Sequence, residues 1–253
     1  MKNIVLFLLV ITNSFNACSQ EPNQIEHSFN LGNRIVSFQE FKGKKKAPFI
    51  LLSVHSNERT GIETAEAFSQ EHKVPFFQIL NENKRMIEFS NNEKKFSVDP
   101  NRIYTDEGVR ASLSKNGNYD TSDFVLLQQF NKFILEKLDP DKVLIAMHNN
   151  TEGEYDINRY LKDLKADADS VHVNEKIDAD DFFLTTDATI FCRLKCLNYN
   201  VILQNNSGAA DDGSLSVLYG KRNLPYVNIE AQHGHKEEQV RMLNDLIKVL
   251  KEQ

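Results

Sequence analysis

Two histidines and two glutamates stand at or just beyond the ends of apolar runs of strand length. His55 follows the run FILLSV, with Glu58 three residues later, His148 follows KVLIAM, and Glu230 follows PYVNI. Imidazole and carboxylate groups are the usual zinc ligands in hydrolytic sites, where three protein ligands leave a fourth position for water. His55, Glu58 and His148 therefore form a candidate site for one Zn²⁺ per chain.

Three further residues could bind and convert a substrate beside such a site. Glu230 is a spare carboxylate that could take a proton from water and pass it to a leaving nitrogen. The segment VDPNRIYT contains Asn101 and Arg102, an amide next to a guanidinium that can hold a substrate carboxylate with two hydrogen bonds. This set of residues predicts hydrolysis of an amide bond next to a carboxylate.

The strands and helices that must position these residues alternate along the chain. Apolar runs predict strands at 34–41, 47–54, 74–80, 141–148, 200–204 and 224–231. Helical spacing of apolar residues predicts helices at 61–72, 122–138, 181–197 and 236–252, the third of them preceded by an apolar turn. Because apolar strands between helices are buried on both sides, we expect an α/β fold with a mostly parallel, mixed central sheet covered by helices on both faces.

The order of these elements also explains where the polar residues should meet. Open α/β sheets bind their ligands outside the carboxyl ends of the strands. His55, His148 and Glu230 each come at such an end. We therefore expect them to lie close together at one edge of the sheet.

Composition limits both the size of the fold and the class of partner. A chain of 253 residues with 40% apolar residues can bury one large core, so a single domain is expected. The net charge is −6 and no long basic run is present, which argues against a nucleic-acid partner. Cys192 and Cys196 are four residues apart on a predicted helix, where we expect burial as small apolar residues rather than a disulfide.

The first residues have the pattern of an export signal. A lysine precedes an apolar stretch from Ile4 to Ile11, which is too short to span a bilayer. The following FNAC and Ser19 resemble a bacterial lipobox, which implies a signal peptide at 1–18 and lipidation of Cys18; ordinary secretion is the alternative. We then predict a tether at 19–30 and a catalytic domain at 31–253. The lipid would anchor the protein in the bacterial cell envelope, as an outer membrane lipoprotein that faces the periplasm or the surface.

Several motifs resemble the zinc carboxypeptidase superfamily, including its aspartoacylase and succinylglutamate desuccinylase branch. VHSNERTG resembles the first metal motif of that branch, HGNE followed by Thr-Gly. DPNRIY is similar to its DLNRIF motif, AMHNNT to DLHNT, and PYVNIEAQ to the strand that presents the catalytic glutamate, while DDGSLSVLYG is closer to the carboxypeptidase branch. The motifs occur in the same order as in the family.

The resemblance implies a zinc carboxypeptidase-like fold and the same roles for the site residues. His55, Glu58 and His148 would bind zinc, the Asn-Arg pair would hold a free carboxylate, and Glu230 would act as base and acid. The chain departs from the family at Ala146, which replaces the aspartate two residues before the third ligand, and near Gly208, where no tyrosine stands.

The arginine that polarises the carbonyl in the family has no matching position, since Arg85 and Lys94 both lie upstream of the motif. Tyr155 and Arg159 could line a pocket beyond the third ligand, or could belong to an ordinary loop and helix start.

Three functions are compatible with these motifs. The first is an exported carboxypeptidase-like hydrolase of peptides with a free carboxylate, which an open site and an exported location favour. The second is a deacylase of N-acyl amino acids of the aspartoacylase type. The third is a carboxylate- or peptide-binding lipoprotein that has lost turnover on the same fold; the presence of all four metal-site and acid–base residues argues against it.

Overall fold

A nine-stranded mixed sheet forms the centre of the computed structural model, which describes residues 24–251. In chain order the strands of the domain are β1 Gln24–Leu31, β2 Arg34–Phe41, β3 Phe49–Ser53, β4 Phe76–Leu80, β5 Ile87–Asn91, β6 Lys94–Val98, β7 Val143–Asn150, β8 Ala168–His172, β9 Phe182–Thr185, β10 Val201–Gln204 and β11 Tyr226–Gln232. Their order in the large sheet is β1-β2-β4-β3-β7-β11-β9-β10-β8, and β5 and β6 form a separate hairpin. The centre, from β4 to β11, is parallel, and antiparallel strands flank it.

Helices cover both faces of this sheet. They are α1 Arg59–His72, α2 Asp106–Ser114, α3 Thr121–Leu135, α4 Ala188–Cys196, α5 Leu215–Lys221 and α6 Lys236–Lys251, with short 3-10 helices at Ile157–Leu161 and Lys165–Asp167. Strand β7 shows the two layers, because its side chains alternate between faces. Leu144 and Ala146 join the core under α2, α3 and α5, whereas Ile145 and Met147 join the core under α1, α4 and α6. The predicted single α/β domain with a mixed sheet is confirmed.

One segment that the sequence assigned to a turn is a strand. Phe182–Thr185 forms β9, which pairs antiparallel with β11 and parallel with β10. All four residues are buried, so both of their faces are covered and the run carries no alternation. A short run of this type cannot be told from a buried turn by its pattern alone.

The predicted tether at 19–30 is wrong over its second half. Gln24–Leu31 forms β1, which pairs antiparallel with β2 along its whole length. Gly32 stands in the tight turn between them with φ of 61°, a conformation that glycine adopts without strain. Because β1 lies at the sheet edge and exposes alternate residues, its polar composition hides it from a search for apolar runs.

The predictions about the export signal and about the cysteines have different outcomes. The proposed signal peptide and Cys18 lie outside the described residues, and none of the helices within 24–251 is long and apolar enough to cross a membrane. Cys192 and Cys196 are free thiols and are exposed rather than buried. The residues of α4 that are buried against the core are Ile190, Phe191 and Leu194.

Candidate metal centre

The three predicted ligands converge at the carboxyl end of the sheet. His55 lies just after β3, Glu58 is the N-cap residue immediately before α1, and His148 lies near the end of β7. The Nδ1 atom of His55 is 2.7 Å from Glu58 Oε1, and the Nδ1 atom of His148 is 2.8 Å from Glu58 Oε2. All three residues are buried, and their candidate ligand atoms lie within 4.8 Å of one another. This buried group could bind a metal ion.

The hydrogen bonds around His55 fit a metal ligand. Its Nε2 donates to Asp99 Oδ1 at 2.7 Å, which leaves Nδ1 as the atom that faces Glu58. Although it is close to the carboxylate, His55 Nδ1 has no hydrogen-bond partner of acceptable geometry among the described residues. A carboxylate that fixes the distal nitrogen of a ligating imidazole is the usual outer support of such sites. The geometry is therefore that of two ligand atoms aimed at a shared cation.

The electrostatics of the site also favour a cation. Burial lowers the pKa of His55, but the carboxylates of Glu58 and Asp99 outweigh it and raise the pKa to about 9. Burial raises the pKa of Glu58, but the charges of His148 and His55 outweigh it and hold this pKa far below its usual range. Two carboxylates in a buried site thus require positive charge, which a divalent ion would supply together with neutral imidazoles.

Glu230 lies beside this group without belonging to it. It is directly opposite His148 in the parallel ladder of β11 and β7, and its side chain is buried. The amide Nδ2 of Asn228 donates to Glu230 Oε1 at 3.1 Å, while Oε2 has no partner among the described residues. Burial raises the pKa of Glu230 above its usual value. A carboxyl group with a raised pKa and a free oxygen can accept and return a proton near neutrality.

A cavity of about 660 Å³ opens beside the metal group and Glu230. The predicted carboxylate-binding residues, Asn101 and Arg102, lie in its wall. Arg102 Nη1 donates to the Asn101 carbonyl oxygen at 2.8 Å and is 3.5 Å from Asp212 Oδ2, and 36% of its side chain is exposed. The guanidinium is thus only loosely paired and can be reached by a substrate carboxylate.

Two charged residues of the site were not assigned from the sequence. Arg85 Nη1 donates to Glu58 Oε1 at 2.8 Å, and its Nε donates to Asp99 Oδ2 at 3.1 Å. Of the two upstream cations considered, Arg85 therefore lies in the site, whereas Lys94 binds Asp120 and Asp123 elsewhere. Asp99 stands two residues before the Asn-Arg pair, and this position in the DPNR segment was the one available signal for it.

Tyr155, in the loop after β7, and Tyr160, in the 3-10 helix Ile157–Leu161, line the cavity. Their hydroxyl groups are 2.6 Å apart and hydrogen-bonded, and the guanidinium of Arg159 lies 5.9 Å from the Tyr155 ring centroid. Burial raises the pKa of Tyr160 to about 12, with a further contribution from the nearby Glu230 carboxylate. The pocket interpretation of Tyr155 and Arg159 is the one the structure supports, and tyrosine hydroxyls are present although none stands near Gly208.

A second group of polar residues supports the ligands from the opposite face of the sheet. Glu58 makes no capping hydrogen bond to α1, because both its carboxylate oxygens face the histidines. Asn149 Oδ1 instead accepts from the Gly61 amide at 2.7 Å, and Asn149 Nδ2 donates to Gln239 Oε1 at 3.3 Å. Gln239 Nε2 in turn donates to the His148 carbonyl oxygen at 2.8 Å. This network joins α1, β7 and α6 directly behind the metal group.

Comparison with known proteins gives structural likeness only. No family model and no curated protein matches the chain. A solved structure described as a candidate metallopeptidase from Shewanella baltica is 12% identical and matches 88% of this chain and 84% of its own, with a TM-score of 0.43. A candidate succinylglutamate desuccinylase/aspartoacylase from Shewanella frigidimarina is 10% identical over 90% and 71%, with a TM-score of 0.43.

An aspartoacylase family protein from Mesorhizobium loti is 12% identical over 90% of this chain and 66% of its own, with a TM-score of 0.44. At this level of likeness the conclusions about fold and site rest on the chain's own sheet topology and side-chain geometry.

Proposed function

We propose that this protein is an exported zinc hydrolase that cleaves an amide or peptide bond next to a substrate carboxylate. One observation carries the proposal: the buried ligand atoms of His55, Glu58 and His148 converge beside the free oxygen of Glu230, and both face one cavity. A site of two imidazoles and one carboxylate suits zinc, although other divalent ions accept the same ligands.

The residues of this chain have separable tasks in such a reaction. Arg102, with the Asn101 amide, would bind the substrate carboxylate and so place the amide bond between the metal group and Glu230. A bound zinc would supply Lewis acidity toward the carbonyl oxygen and would lower the pKa of a water molecule. Glu230 would receive the proton of the attacking water on Oε2 and deliver it to the leaving nitrogen.

Arg85 is placed to stabilise negative charge that develops on the carbonyl oxygen. Its guanidinium donates to Glu58 and Asp99, and 43% of its side chain is exposed toward the cavity. A donor held in place by two carboxylates needs little reorganisation when the charge appears. This would fill the role for which the sequence motifs offered no matching arginine.

The location and the substrate extend the proposal beyond the described residues. We propose export by the leader at 1–18 and attachment to the cell envelope through lipid on Cys18. A peptide with a free carboxylate is the leading substrate, and an N-acyl amino acid is the alternative. Rates on N-acylated dipeptides and on N-acetyl amino acids with the same last residue distinguish the two.

The direct test is the metal content of the purified protein. We expect about one zinc per chain, and loss of most of it in His148→Ala. His172→Ala is the matched control, because His172 lies on β8 and its ring bonds only Asn198 within residues 24–251. A protein that stays free of metal after zinc is supplied would refute the hydrolase and leave a carboxylate-binding protein. A protein that binds zinc but hydrolyses neither substrate class would refute the proposed reaction alone.

A further inference from the structure

Asn228 has a hydrogen-bonding capacity that the proposed reaction leaves unused. It lies on β11 two residues before Glu230, so both side chains point to the same face of the sheet. Asn228 is only 8% exposed and lines the cavity beside the metal group. Its Oδ1 atom has no donor among the described residues.

The neighbouring carboxylate determines which way the amide points. Nδ2 donates to Glu230 Oε1, and Glu230 must be ionised to accept a proton from water, a state that offers no hydrogen for the reverse arrangement. Oδ1 must therefore face away from Glu230. A buried acceptor without a partner is costly enough that native proteins almost always satisfy it.

The other polar groups of the cavity do not take this role. Arg102 is the group reserved for the substrate carboxylate, and the hydroxyl groups of Tyr155 and Tyr160 share one hydrogen bond with each other. Asp167 and Asp212, which also line the cavity, are carboxylates with nothing to donate. The wall also carries donors such as Arg85 and Ser216, but none of the described residues bonds Asn228 Oδ1.

We infer that Asn228 is a specificity-determining residue whose Oδ1 accepts a hydrogen bond from the side chain of the substrate residue that carries the bound carboxylate. The inference rests on the proposed function, since it places that residue by the Arg102 contact. The substrate class is then an amino acid with an N–H or O–H donor in its side chain, such as a carboxamide, and an aliphatic side chain of the same shape is disfavoured. A site built to pair a donor rejects the analogue that lacks one, because its buried acceptor is then left unpaired.

The test compares N-acetylglycyl peptides in two nearly isosteric pairs, ending in asparagine or leucine, and in glutamine or methionine. We expect zinc-loaded wild type to favour the amide in at least one pair by about 5- to 150-fold in kcat/KM, the range for one buried unpaired group. Asn228→Leu should remove that ratio, whatever it does to the rate on both peptides. Asn228→Ala gives a second variant if the leucine does not fit.

Ser216→Ala is the control for general polarity of the cavity, because the Ser216 hydroxyl bonds that of Ser214 in the same wall. It should keep the wild-type ratio. Binding of the same peptides to the metal-free protein is measured as well, because it needs no turnover. The peptide with the carboxamide should have the lower dissociation constant.

The results separate this inference from the proposed function. If wild type hydrolyses both members of each pair equally, or if Asn228→Leu keeps the preference, the inference is wrong while the hydrolase stands, and water satisfies Oδ1. If no peptide is hydrolysed, the proposed function fails, and the binding ratio still decides whether Asn228 selects a donor.

Discussion

Replacing Asn149 by alanine should weaken both the fold and the metal site, although Asn149 is not a ligand. Its Oδ1 accepts from the buried amide of Gly61 in the first turn of α1, the task that the N-cap side chain normally performs. Its Nδ2 donates to the Ala231 carbonyl oxygen and to Gln239 Oε1, both at 3.3 Å. The variant loses these bonds and leaves the Gly61 amide and Gln239 Oε1 without a partner.

The size of the effect follows from those contacts. A lost cap costs about 1 kcal/mol, and a buried donor or acceptor left unpaired adds about 1–3 kcal/mol, so we expect Asn149→Ala to lower the free energy of unfolding by about 2–4 kcal/mol. Mutation of a residue that hydrogen-bonds a metal ligand typically lowers metal affinity 10- to 100-fold. Because the network sets the positions of Glu58 and His148, we expect Asn149→Ala to bind zinc about 10- to 100-fold more weakly.

Two measurements on the purified protein check these effects separately. Urea unfolding of the metal-free protein gives the free energy, and competition with a chelating indicator gives the zinc affinity. Asn244→Ala is the control, since Asn244 is half-buried on α6 and its side chain bonds only the Val240 carbonyl oxygen among the described residues. Wild-type stability in Asn149→Ala would refute the capping role. Lower stability with unchanged zinc affinity would refute its role in positioning the ligands.

Three further outcomes are expected from single residues. Glu230→Gln should keep its zinc but lose about 10²- to 10⁴-fold in kcat, because it removes the proton carrier and no ligand; a matching loss of zinc, measured by metal analysis, would contradict this. Asp99→Ala should lower zinc affinity about 10- to 100-fold by freeing His55, and affinity equal to wild type in the chelator competition would show that Asp99 does not orient the ligand. Burial raises the pKa of Asp123, but bonds from Asp120, Lys94 and Asn91 outweigh it and lower the pKa. The stability that ionised Asp123 contributes is therefore present above its unfolded pKa of about 4 and is lost as the pH falls below it. The difference in unfolding free energy between wild type and Asp123→Asn should then shrink below about pH 4, and a difference independent of pH would refute the linkage.

Much of the fold could be predicted because its central strands carry strong signals. The segments of β3, β4, β7 and β11 are apolar runs of strand length, and burial on both faces is what such runs require. The polar edge strand β1 and the short β9 were missed or misassigned. An edge strand that alternates polar and apolar residues resembles a tether, and four buried residues are too few to show any period.

The sequence by itself predicted that the candidate metal ligands and Glu230 lie together. Strands that end in His55, His148 and Glu230 must bring these residues to one edge if the sheet is parallel, so local pattern and chain order were enough. Only the tertiary structure decided which groups support them. Asp99 meets His55 across 44 residues of chain, Arg85 meets Glu58 across 27, and Asn149 meets Gly61 across 88. Such partners are chosen by the direction of each side chain after the helices have packed on the sheet, and no periodicity along the chain encodes that direction.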